Sequence, residues 1–273
     1  MTELSLPIIG GLLLLGSFTG FCAGLLGIGG GMLLVPFLTL LFGHLQFPET
    51  SLVHMAIATS MGTILFTSIA SVRAHHKHGK VMWNIVWMLA PGIVLGGLLG
   101  GGKIFSLLKT SWLSMVFAVF VSYSAIQMFI DKKPLPSRTL PGPAGQIGAG
   151  TLIGMISSLV GAGGGFISVP FMVWCNVPIH NAVATSAALG FPIAAASVIG
   201  YVSGSWGQTG LPGYSLGYLY VPALLIIASA SVMTASLGAK TAHRLPVKKL
   251  KKAFGVLLLS LASYMLYKAI QTR

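Results

Sequence analysis

Residues 24–38 read GLLGIGGGMLLVPFL, and residues 158–172 read SLVGAGGGFISVPFM. Gly27, Gly29, Gly30 and Gly31 interrupt the first apolar run, and Gly161, Gly163, Gly164 and Gly165 interrupt the second 134 residues later. Seven of the eleven positions from Gly27 to Phe37 match their counterparts, so the chain is internally duplicated. Each glycine in a helix interior is about 1 kcal/mol worse than alanine, and four within five residues predict a broken helix. At membrane depth the freed backbone N–H groups must be buried in protein or line a polar cavity. A short apolar helix is expected after each break, over residues 32–42 and 166–174, with its N-terminus aimed back at the glycines. Helix N-termini carry unpaired donors and a partial positive charge, which makes two of them a ready anion site. Broken helices at matching places in two halves also point to a transporter's binding site. The competing reading is close helix packing through small residues.

Composition sets the class around these stretches. Of 273 residues 55% are hydrophobic and 7% charged, with a mean hydropathy of +0.89. Soluble domains carry roughly 25% charged residues, so a polytopic all-α membrane protein is expected. The net charge of +13 comes from 16 Lys and Arg between apolar segments, which sets orientation in the bilayer and does not imply a nucleic-acid partner. The opening MTELSLP has no Lys or Arg and leads into an apolar segment too long for a signal-peptide core, so it is expected to be retained. Cys22 and Cys175 lie in apolar segments, which argues against a disulfide framework.

Eight apolar stretches are read, at 6–45, 51–74, 81–102, 110–130, 143–175, 180–203, 215–238 and 250–270; the first and fifth are too long for one straight helix and contain the breaks. The duplication continues: HMAIATS (54–60) answers HNAVATS (180–186), Pro91 answers Pro222, Lys103 answers Lys240 and Phe117 answers Phe254. The expected organisation is a first repeat over 1–130, a basic, proline-rich linker over 131–142 and a second repeat over 143–273. If all eight stretches cross, the two sides hold eight basic residues each. If the first and fifth return as hairpins, one side collects Arg73, Lys77, Lys80, Lys132, Lys133, Arg138, Lys240, Arg244, Lys248, Lys249, Lys251 and Lys252, a count of twelve to four. The positive-inside rule favours the second arrangement, with both termini outside and the repeats inverted. About 20 residues precede each break, longer than a hairpin to mid-membrane needs, so strong tilt or an interfacial start is expected as well.

At GLLGIGGGMLLVPF and LVGAGGGFISVPF, with HMAIATS and HNAVATS downstream, the chain resembles the TauE/SafE family of sulfite and organosulfur-anion exporters. The resemblance covers both halves and implies a multi-spanning permease of the bacterial inner membrane for small anions such as sulfite. The expected partners are that anion, the lipid bilayer and, as an option left open, a second copy of the chain.

The residues themselves supply candidates. His54 and His180 occupy matching places, followed by Thr59 and Ser60 and by Thr185 and Ser186, on neighbouring faces of a helix. With Asn181 and the eight glycines they form the expected substrate site, since neutral donors suit a small oxyanion. The alternatives are that Thr and Ser bond their own helix backbone and that the histidines cap helix starts after Pro48 and Pro178. Glu3, Glu49 and Asp131 are the only carboxylates, all at segment ends or in loops, so coupling through an intramembrane carboxylate is not open to this chain. His75, His76 and His78 suggest a divalent-metal permease as the second reading, but Arg73, Lys77 and Lys80 would repel a cation. An intramembrane serine hydrolase would pair Ser157 or Ser186 with His180, and it gives the duplicated glycines no role. The expectation is therefore a transporter, with no enzyme activity, resident metal or cofactor. A further expectation is that Gly30→Ala and Gly164→Ala would remove the anion site while sparing the fold.

Overall fold

The computed structural model describes residues 5–26, 30–77, 79–130, 138–241 and 247–271. The first apolar stretch becomes α1 (Leu6–Leu26) and α2 (Gly31–His44), and the fifth becomes α7 (Pro143–Val160) and α8 (Gly165–Trp174). The remaining stretches form α3 (Leu52–Lys77), α4 (Trp83–Leu99), α6 (Thr110–Ile130), α9 (Ile179–Gly204), α10 (Val221–Thr241) and α11 (Val247–Gln271). A π-helical turn at Gly100–Ile104 and the short α5 (Phe105–Leu107) extend α4, and a two-stranded ribbon of β1 (Ser215–Leu216) and β2 (Leu219–Tyr220) precedes α10. Eight of the described helices are long and apolar enough to cross a membrane; α2 and α8 are too short. The chain is thus an all-α, multi-pass membrane protein.

α3 and α9 are the most buried of the spanning helices and form the centre. They pack against each other, α10 lies on α3, and α4 lies on α9. Two parallel pairs flank them. Gly92 faces Ile147 and Thr151, and Gly96 faces Thr151 and Met155, so α4 and α7 run side by side with their backbones touching. Gly16 faces Ile227 and Ala230, and Gly20 faces Ser231 and Thr234, which joins α1 to α10 in the same way. Between membrane helices, where lipid is as apolar as leucine, close approach through small residues supplies the packing energy. Every one of these pairings has its image when the halves are exchanged, and α6 against α11 is its own image. Phe117 and Phe254, expected to correspond, fall on the eighth residue of α6 and of α11. The expected match of Pro91 with Pro222 fails, because Pro91 is the ninth residue of α4 and Pro222 the second of α10. A shared proline is weak evidence of register when each helix tolerates one at a different depth.

Contacts at the two ends of the bundle fix the direction of travel. At one end Glu49 pairs with Lys268 at 3.2 Å, Thr110 donates to the Thr50 carbonyl at 2.6 Å, and Phe42 and Phe47 pack on Tyr220. At the other end Asn181 donates to the Lys80 carbonyl, and Arg138 lies 4.7 Å over the Trp174 ring. Arg138 precedes α7 and Trp174 ends α8, so the chain comes back to where α7 began. α2 likewise ends beside Tyr220, next to the start of α10, the helix that runs parallel to α1. The 21-residue α1 is roughly 31 Å long. Gly30 lies against Thr19 and Ala23, so α2 starts alongside α1 rather than beyond its tip.

Candidate functional site

Each short helix starts from a left-handed glycine. Gly30 precedes α2 with φ 66°, and Gly164 precedes α8 with φ 75°. Neither has a side-chain cap; the N–H groups of Leu33 and Leu34 return to the Gly30 carbonyl and those of Ile167 and Ser168 to the Gly164 carbonyl, which leaves the first two N–H groups of each helix as candidate donors. The start of α2 meets the end of α7: a Cβ on Gly31 would strike the Gly161 carbonyl, and Ser60 Oγ lies 3.3 Å from the Gly31 carbonyl and 3.4 Å from that of Gly161. Gly161 is itself left-handed and closes α7, its N–H donating to the Ser157 carbonyl at 2.9 Å. Gly27 and Gly29 lie outside the described residues.

Beside this junction is a cavity of about 20 Å³ bounded by Ala23, Gly163, Ser186 and Gly190 and by Thr67, Ser68 and Ser71 of α3. The volume suffices for about one water. Its lining carries four hydroxyls together with the apolar Ala23, Ile64 and Ala187, and no charged side chain. Ser168 Oγ lies 2.9 Å from Ser186 Oγ and 2.9 Å from the Gly164 carbonyl, which ties α9 to the start of α8.

The expected site residues therefore divide. Gly30, Gly31, Gly161, Gly163, Gly164, Gly165, Ser60 and Ser186 come together at the junction. Thr59 and Thr185 do not line it. Thr59 Oγ1 accepts the Tyr220 N–H at 3.0 Å, and Thr185 Oγ1 accepts the Met82 N–H at 3.0 Å. Each threonine thereby holds the residue just ahead of a helix in the other half, α10 for Thr59 and α4 for Thr185. His54 is buried, with Nε2 3.1 Å from the Phe105 carbonyl and 2.9 Å from that of Leu108 and its ring stacked on Tyr218. It caps the end of α5 rather than the start of its own helix, and its donor is spent on those carbonyls. His180 is exposed at the start of α9, and Asn181 is held by Lys80. The matched histidines thus occupy unlike surroundings.

Sequence reasoning missed Thr67, Ser68, Ser71 and Ser168, and gave Ser157 only a role in a hydrolase. The signal for the first three was present, since residues 67, 68 and 71 fall on adjoining faces of one helix. Thr67 and Ser68 do donate to their own helix, to the Ile64 and Leu65 carbonyls, as that alternative expected.

The earlier expectation for Gly30→Ala and Gly164→Ala needs correction. A Cβ at Gly30 would lie 2.9 Å from the Thr19 carbonyl oxygen, and one at Gly164 would strike Ile193. Both glycines are also left-handed, so alanine there strains the fold as well as the site.

Paired helix breaks enclosed by spanning helices are what the binding site of a membrane transporter is built from. The family model described as sulfite exporter TauE/SafE matches residues 12–265, and the chain belongs to that family. It is 39% identical over 258 residues to a probable membrane transporter protein of Haemophilus influenzae, covering 94% of this chain and 97% of the relative. A probable membrane transporter protein of Methanocaldococcus jannaschii is 28% identical, covering 88% of each chain, and one of Bacillus subtilis is 27% identical, covering 86% of this chain and 90% of the relative. No solved structure matches the chain.

Proposed function

We propose that this transporter exports a small oxyanion, sulfite or a related organosulfur anion, across the bacterial inner membrane by alternating access. The anion is held where α2 and α8 start. The observation that carries this reading is a pair of helix starts without side-chain caps, each preceded by a left-handed glycine, Gly30 and Gly164, with Gly161 of the second break packed on Gly31 beside a cavity that has four hydroxyls in its lining. Uncapped helix starts concentrate donors on one point and favour negative charge. The family's description names sulfite. A cavity that holds about one water is closed to a sulfur oxyanion, so binding requires an opening of the bundle to one side and then the other.

The chain is read as two inverted repeats, 1–130 and 143–273, joined by 131–142. This is supported by the exchange symmetry of the packing and by the two broken segments, which return toward opposite ends of the bundle. The site then falls between repeats near mid-membrane. Without an intramembrane carboxylate, the simplest driving force is the membrane potential, about 2.3 kcal/mol per outgoing charge at 100 mV. Proteoliposomes loaded with labelled sulfite test the proposal. Efflux that rises with an imposed potential and is competed by other sulfur oxyanions is expected. Transport of divalent cations without sulfite efflux would overturn it.

A further inference from the structure

The two breaks end alike, on left-handed Gly30 and Gly164, but differ in side chains. Ser157 stands one turn before the second break, and at the matching place, 134 residues earlier, the first break has Ala23. Ser168, in the first turn of α8, likewise corresponds to Leu34 in α2. Ser157 is 1% exposed, and its hydroxyl is buried with no hydrogen-bond partner among the described residues. Serines inside helices usually satisfy the hydroxyl on the carbonyl three or four residues back, as Ser114, Ser124, Ser168 and Ser197 do here. Ser157 does not. Its Oγ points at the α8 start, 3.3 Å from where a Cβ on Gly164 would sit. A buried hydroxyl left unpaired is unfavourable unless something else fills its hydrogen-bonding capacity.

Resting on the anion site proposed above, we infer that Ser157 is a substrate-binding residue, its hydroxyl donating to an oxyanion at the N-terminus of α8, and that the second break holds the substrate more tightly than the first. The hydroxyl, on α7, lies beside Gly164, the residue from which α8 starts. An oxyanion offers several acceptor oxygens and can take both that hydroxyl and a backbone N–H. At the matching positions of the first break Ala23 and Leu34 carry no hydroxyl. The site is therefore asymmetric within a symmetric frame, and the class of ligand it suits is a small oxyanion without a bulky apolar group, since the cavity beside it is narrow.

The test uses the full-length protein with sodium sulfite as the probe, in a binding titration and in proteoliposome efflux. Ser157→Ala is expected to weaken sulfite binding about tenfold, the effect of one hydrogen bond to a charged group. Its ligand-free melting temperature should hold or rise, because an unsatisfied buried hydroxyl has been removed. Loss of melting temperature in step with affinity in Ser157→Ala would assign the residue to packing and overturn the inference. Wild-type affinity in Ser157→Ala would overturn it too, while wild-type binding of sulfite leaves the anion site standing. Failure of the wild-type protein to bind sulfite, sulfate or thiosulfate would overturn the site and the inference together.

Discussion

At Gly164 one backbone angle decides what the residue is for. With φ 75° it turns the chain from α7 into α8, a conformation that costs a residue bearing a Cβ roughly 1–2 kcal/mol. The contact with Ile193 adds to that. Gly164→Ala should therefore lower the melting temperature by several degrees, at roughly 2–4 °C per kcal/mol for a chain of this size. Gly148, exposed in α7 with open space around it, is the control, and its alanine variant should melt at or above the wild-type temperature. Differential scanning fluorimetry of both variants decides the point. Equal melting temperatures would contradict the left-handed turn. The same angle explains why flux loss in Gly164→Ala cannot by itself be credited to the anion, whereas Ser157→Ala separates binding from folding.

At the scale of elements, the threonines of the two ATS triplets are joints between halves. Thr59 fixes the residue ahead of α10, and Thr185 fixes the residue ahead of α4. Valine keeps the shape and removes the acceptor, leaving a backbone N–H unpaired at a penalty of about 1–3 kcal/mol. The loss should be larger for Thr59→Val, since Tyr220 is 1% exposed while Met82 is only half-buried. Chemical or thermal unfolding of the two variants measures the difference. A Thr185→Val variant as damaged as Thr59→Val would argue against burial as the cause. Because both threonines lie on the central helices one residue before Ser60 and Ser186, the joints also hold the site's serines in place.

For the whole molecule the testable quantity is its orientation. Contacts put Lys80 and Arg138 at one end of the bundle, with Asn181 and Trp174, and Lys268 at the other, with Glu49. Taking the basic end as cytoplasmic by the positive-inside rule, cysteines at Lys80 and Arg138 should resist an impermeant thiol reagent in intact cells. A cysteine at Lys268 should react. The native Cys22 and Cys175 are both buried and give a low background. Labelling of Lys80→Cys from outside would reverse the orientation.

Much of this protein could be read from one dimension. The apolar stretches, the two glycine breaks and the duplication depend on local composition and spacing, and α2 and α8 start where the last glycines of 27–31 and 161–165 predict. The twelve-to-four charge count favoured returning segments, because charge in short loops acts on insertion one segment at a time. What the tertiary structure decided is which polar groups meet. His54 and His180 are equivalent in sequence, yet one is locked onto carbonyls 51 and 54 residues away and the other is exposed. Thr59 was spent on a backbone N–H 161 residues distant, and Ser157, with no motif around it, was left facing the junction. A repeat specifies equal backbones, whereas the partner of a side chain comes from whichever segment packs beside it. For Thr59 and Thr185 that segment belongs to the other half, with a different sequence.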